Sequence, residues 1–178
     1  SGGSWSKTGG VTVTANDATA PDGTTTADRV DYDGSASSGS YRIYTTPGTT
    51  VNGTKYITSI WMKSDTPVTV RLSGNGTAAG GAIISCNVTT EWQRFSTNGG
   101  TGNGTTAIQH LIYSNTSSNA SFSIYVWGSQ MEIGTFTTSY IPTSGSTVTR
   151  AADIAKITGS NFTDFYNQTE GTFSVTAK

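Results

Sequence analysis

Residues 55–73 read KYITSIWMKSDTPVTVRLS, and their two alternating runs decide the fold. In the second run Val68, Val70 and Leu72 alternate with Thr69, Arg71 and Ser73, the one-sided pattern of an antiparallel strand with one face on a core. In the first run, the strongest strand of the chain, Tyr56, Thr58, Ile60 and Met62 share one face. Ile57, Ser59, Trp61 and Lys63 share the other, so both faces are partly apolar. Neither run has a helical period. Pro67 opens the second, where its fixed φ suits a strand start.

The same reading extends outward in both directions. Residues 11–15, 27–32, 41–44, 82–88, 91–97, 106–113 and 121–131 read as further strands. Between them lie turn signals with a mechanism: Pro21, Asp22 and Gly23, where proline presets φ and glycine accepts a positive one, then Asn52 and Gly53, and Gly-rich runs at 34–39, 74–81 and 98–105. Roughly nine short strands at regular spacing predict an all-β antiparallel β-sandwich, and a jelly roll fits the count.

Composition bounds the function. The chain has 178 residues, 33% hydrophobic and 12% charged, with net charge −1. That is enough apolar material for one sandwich core and too little charge for a disordered polyampholyte. No basic field exists to draw in nucleic acid. No window approaches the roughly 20 apolar residues that span a bilayer, so membrane insertion is not expected. Asn-x-Ser/Thr triplets recur from Asn52 to Asn167, as a chain that builds turns from Asn and strands from Thr makes them by chance. The lone Cys86 excludes an intrachain disulfide and reads as a small buried apolar residue beside Ile83 and Ile84.

Catalytic constellations are scarce. One histidine, His110, sits mid-strand and has no nucleophile motif around it. One His and one Cys do not make a zinc site. The GGTGNG run at 99–104 precedes a strand rather than a helix and lacks the phosphate-loop lysine. A pair of carboxylates for glycoside hydrolysis needs only two of the 11 acidic residues, but most of them fall in loops or the tail. Calcium is the one metal the composition suggests, with Asp22, Asp28 and Glu132 as candidate ligands. The competing reading has Asp22 capping its turn, Asp28 exposed on a strand and Glu132 ending one.

The aromatic residues carry more. If Ile60 and Val70 point to the core, Trp61 and Arg71 share the opposite face, and Tyr125 and Trp127 oppose Ile124 and Val126 in the same way. Aromatic planes suit the C–H face of a pyranose while polar side chains take its hydroxyls, so these four residues are the expected ligand site. The alternative places the tryptophans in the core or under the segment that follows them. Trp5 and Trp92 are expected to seal core edges.

That following segment, residues 127–153, reads WGSQMEIGTFTTSYIPTSGSTVTRAAD. Gly134 ends the strand, and Phe136, Tyr140, Ile141 and Pro142 have neither period, as expected of an extended strap. Together with WSKTGGVTVTANDATAPDGTTTADRV at 5–30, YITSIWMKS at 56–64 and EWQRFS at 91–96, the stretch YVWGSQMEIGTFTTSYIPTSGSTVTRAAD at 125–153 resembles the carbohydrate-binding-module-like jelly-roll domains of phage tail and tail-fibre proteins and related bacterial surface proteins. The resemblance implies a non-catalytic, extracellular or virion-borne module that holds its parent against a polysaccharide or cell-surface glycan. A spacer or oligomerisation domain of a tail protein is the alternative, with a homo-oligomer in the parent, and a small glycan hydrolase is a third. Relatives often carry structural calcium, yet where they place an Asp in the last strand this chain has no acid until Glu132. After a domain at 1–153, residues 154–158 and 171–178 read as isolated strands, so 154–178 is expected to be a linker and the truncated start of a second all-β domain, which the resemblance implies is concanavalin- or laminin-G-like.

Overall fold

The computed structural model describes residues 5–35, 42–74, 83–97, 99–102, 104, 107–114, 121–143, 146–151, 166, 169, 171, 174 and 175. The chain divides into two compact units, Ser1–Ser146 and Thr147–Lys178. The strand expected at 154–158 lies outside the described residues, and of 171–178 only Gly171, Ser174 and Val175 are described, none in a strand.

The first unit is built from β1 (Ser6–Thr8), β2 (Val11–Thr19), β3 (Thr25–Tyr32), β4 (Arg42–Thr49), β5 (Lys55–Lys63), β6 (Val68–Ser73), β7 (Ile84–Val88), β8 (Gln93–Ser96), β9 (Gly100–Thr101), β10 (Ala107–Ser114) and β11 (Phe122–Ile133). They form two antiparallel sheets, β1-β4-β10-β6-β7 and β2-β3-β11-β5-β8, with β9 added beside β5. Successive strands from β3 to β6, β7 to β8 and β10 to β11 switch sheets. This gives β3-β11-β5-β8 against β4-β10-β6-β7, the strand order of a jelly roll. No helix occurs among the described residues, and so none that is long and apolar enough to cross a membrane.

The core lies between the sheets, where the alternation of each strand puts it. Ile60 and Met62 of β5, Val30 and Tyr32 of β3, and Ile124 and Val126 of β11 face Ile43 of β4, Val70 and Leu72 of β6, Cys86 and Val88 of β7 and Ile112 of β10. Cys86 is fully buried, as its apolar neighbours predict, and burial pushes its thiol up to about 12.

Several strands run longer than their sequence suggests. β2 continues past Ala15 because Asn16, in the left-handed region at φ 56°, forms a bulge whose amide donates to Asp28 Oδ1 at 3.1 Å. β4 continues through Pro47 to Thr49, since the register with β10 jumps from Gly48–Ile108 to Thr45–His110, and a bulge tolerates a residue with no N–H to donate. β1 and β9 were not expected, being too short to carry a period. β11 extends to Ile133, and Gly134 does end it.

Candidate functional site

β11 lies between β3 and β5, so its alternation sets what appears on the outer face of the second sheet. Tyr125 pairs with Arg29 on one side and Lys63 on the other, and Trp127 with Trp61. Across β5, Trp61 pairs with Arg94 and Ser59 with Ser96. Trp61, Tyr125 and Trp127 therefore do converge on one face, together with Arg29, Lys63 and Arg94. Arg71 does not join them. β5 and β6 belong to different sheets, so residues that both point away from the core point to opposite sides of the sandwich. Arg71 stands between Tyr113 and Ser85 on the outer face of the other sheet. Alternation along each strand was legible in the sequence, but the sheet switch at Pro67 was not.

The polar groups on this face are fixed by one another. Arg29 Nε lies 2.8 Å from Asp31 Oδ1, and the Ser123 hydroxyl donates to the same oxygen. The Tyr125 hydroxyl donates to Asp65 Oδ2 at 3.1 Å. Burial, then this hydrogen bond and the Asp65 charge, raise the Tyr125 phenol above its ordinary value. Lys63 Nζ sits 5.1 Å from the centre of the Tyr125 ring and 5.4 Å from that of Trp92, within cation–π range of both. Trp92, expected at a core edge, thus borders the face, and its indole N–H donates to Thr19 O at 3.1 Å.

The strap crosses this same face. Arg94 donates to Thr138 O and Ser59 Oγ. Gln130 donates to Ser139 O at 3.4 Å and accepts from Ile141 N at 2.8 Å. Tyr140 packs on Trp127, ring centres 4.6 Å apart and planes tilted by 54°. Phe136, expected as an anchor, instead stands 73% exposed. Trp127 Nε1 donates to Thr26 Oγ1 at 3.0 Å, and the charge of Asp22 adds to burial in raising the Tyr140 phenol, so the end of the β2–β3 hairpin reaches the face as well. Tyr125 is left 9% exposed, and among the described residues the Trp61 indole N–H and Arg94 Nε are buried without a hydrogen-bond partner. The aromatic face is partly roofed by its own chain.

One residue sets how closely the roof approaches. Between Trp127 and Gln130, β11 carries Gly128 and Ser129 against the single Ile60 of β5, a bulge with Gly128 at φ 62°. A Cβ there would come 3.2 Å from Trp61 Cδ1 and 3.5 Å from the Tyr140 ring. Gly128→Ala is expected to destabilise the protein by about 1–3 kcal/mol, from left-handed strain and crowding, read as a lower midpoint in urea with an unchanged slope. An unchanged midpoint would mean that the bulge relaxes freely.

The three calcium candidates do not come together. Asp22 Oδ1 accepts from Thr24 N and Thr24 Oγ1 at 3.0 and 2.7 Å, which lowers its pKa and caps the Pro21–Gly23 turn. Asp28 caps the β2 bulge through Asn16. Glu132 accepts from both the N–H and the hydroxyl of Thr138. Burial alone would raise its pKa, but these bonds, with Gln130 and Arg94, lower it. Among the described residues no three His, Cys, Asp or Glu side chains are grouped to hold a metal ion.

Known structures share this sandwich. A solved structure described as "CBM4 structure and function" is 17% identical over 70% of this chain and 95% of its own, with TM-score 0.50. TmCBM61, solved with β-1,4-galactotriose, is 15% identical over 73% of this chain and 88% of its own, with TM-score 0.51. The arabinose-bound MgGH51 α-L-arabinofuranosidase is 12% identical over 71% of this chain, TM-score 0.54, though the match spans only 22% of that enzyme. At these identities the likeness is one of fold, a β-sandwich found in carbohydrate-binding modules. The sequence matches no protein-family model and no curated protein.

Proposed function

We propose that this chain is a non-catalytic carbohydrate-binding module that recognises a polysaccharide or cell-surface glycan. The observation that carries the reading is the single sheet face on which Trp61, Tyr125 and Trp127 are interleaved with Arg29, Lys63 and Arg94, where the half-buried Trp61 and Trp127 offer apolar surface to a sugar ring beside the strap and Lys63 offers a donor for its hydroxyls. The fold supports it, being one that serves sugar binding in the module structures above. The binding reading draws no contact from Arg71, which faces the other way, or from calcium. An extracellular or virion location accords with a glycan ligand.

Trp127→Ala is expected to weaken binding to a responsive polysaccharide by about 1–3 kcal/mol, roughly 5- to 150-fold, in affinity electrophoresis. It also removes the ring under Tyr140, so its melting temperature should fall modestly. Wild-type binding by this variant would move the site off the face. A panel on which no polysaccharide binds would favour the second reading, a spacer or oligomerisation domain. That reading has its own observation: Ile133 and Phe136, close in sequence at the end of β11, are each 73% exposed. Light scattering separates the two.

A further inference from the structure

The strands place a groove where no aromatic pattern in the sequence pointed. It lies between the β5–β6 turn and the start of β11, lined by Asp65, Thr66, Pro67, Val68 and Ser121 to Ser123, with a volume of about 420 Å³. That size lies within the range of small-molecule sites, roughly 300–1,000 Å³.

Its walls are held before any ligand arrives. Phe122 stacks on the buried Tyr32 ring, centres 4.3 Å apart and planes 15° from parallel. The turn is pinned by the buried Ser64, whose hydroxyl donates to Thr66 O at 2.7 Å and whose N–H donates to Thr89 O. Ser123 is tied to Asp31 and Arg29. Asp65 takes one hydrogen bond, at Oδ2, from Tyr125. Asp65 is exposed and lines the groove. Pro67, Val68 and Phe122 supply an apolar surface, while Asp65, Ser121 and Ser123 supply polar atoms around it.

The geometry points to a second binding site in this groove, for one uncharged sugar ring. The apolar residues match the C–H face of a pyranose, and the Asp65 carboxylate accepts from a ring hydroxyl. Lining charge decides against an acidic sugar. Among the described residues that line the groove Asp65 is the only charged one, so a uronate would bring its carboxylate beside another, while Asp31, behind Ser123, is already paired with Arg29. The choice of a sugar as occupant rests on the glycan-binding reading above, whereas the location does not.

The test is a nitrogen–proton NMR titration of the whole chain with xylotriose, cellotriose and β-1,4-galactotriose, and with trigalacturonate as the acidic counterpart. At least one neutral trisaccharide is expected to shift the amides of residues 65, 66, 68 and 121–123. Asp65→Asn should weaken that binding about tenfold, the loss of one charge-assisted hydrogen bond. Ser121→Trp, a change at an exposed position, should plug the groove and abolish these shifts while leaving any at Trp61 and Trp127 in place. Shifts confined to Trp61 and Trp127 would overturn the groove site and leave the glycan-binding reading standing. Equal shifts with trigalacturonate would overturn the preference for an uncharged ring. If none of the four oligosaccharides shifts any amide, the groove site fails. If the polysaccharide panel is silent too, the function above fails with it.

Discussion

Ile60→Ala is expected to cost about 2–5 kcal/mol, the range for truncating a large aliphatic side chain in a packed core. Ile60 has no exposed surface, and it sits in β5 between β11 and β8 and opposite the Gly128 bulge, with core side chains of the facing sheet across from it. The neighbouring strands are hydrogen-bonded on both sides, so β5 cannot shift to fill the space. The melting temperature should fall by about 5–15 °C, and Ile60→Val, which removes one methylene, by about a quarter of that. Equilibrium urea unfolding measures both. A loss below about 1 kcal/mol for the alanine variant would mean that β5 is not held between its neighbours as described.

Strong alkali should unfold the protein through two buried groups in its core. The Tyr32 phenol and the Cys86 thiol, with ordinary values of 10.0 and 9.0, are both raised by burial, Cys86 to about 12 and Tyr32 further. A group whose pKa is raised on folding adds stability that is fully present below its unfolded value and is lost as the pH climbs through the window up to the folded value. In that window the folded state binds more protons than the unfolded one, so each group removes about 1.4 kcal/mol per pH unit. Cys86 contributes from about pH 9 and Tyr32 from about pH 10, together about 4 kcal/mol by pH 11, a large part of a typical domain's 5–15 kcal/mol. Melting temperatures taken from pH 7 to 11 should be flat at first and then fall with increasing steepness. Tyr32→Phe should flatten the fall above pH 10, and Cys86 should react with iodoacetamide at pH 8 only in denaturant. A Tyr32→Phe profile parallel to the parent's would remove Tyr32 from this account.

The candidate site was legible in part, and for a specific reason. Trp61, Tyr125 and Trp127 could be assigned to outward positions because Ile60, Met62, Ile124 and Val126 declare the inward ones by alternation. That local rule also carried Arg71 outward, correctly, but it does not say which sheet a strand joins. Trp92 reads from the sequence as a core-edge residue, and Arg94 has no period to place it because its edge strand, Gln93–Ser96, is too short to show one. Arg29 and Lys63 had outward parity in strands that were recognised, and pairing with β11 is what gives that parity a place. The carboxylates can be read two ways in the sequence for a related reason. Asp22, Asp28 and Glu132 look like spare ligands in the sequence, and each is taken by an amide or hydroxyl that the backbone path brings to it.

What the sequence determined by itself is the all-β class, the inward and outward faces of the main strands and the burial of Cys86, because these follow from a two-residue period and from the chemistry of single side chains. What only the tertiary structure decided is which outward faces meet, that the strap and the hairpin end roof the aromatic face, and that Asp65 and Phe122 flank a groove. Those depend on pairings such as Tyr125 with Lys63 and on hydrogen bonds such as that of Arg94 to Thr138, between residues tens of positions apart. No local pattern encodes such separations, since the free energy that selects them comes from closing the whole sandwich at once.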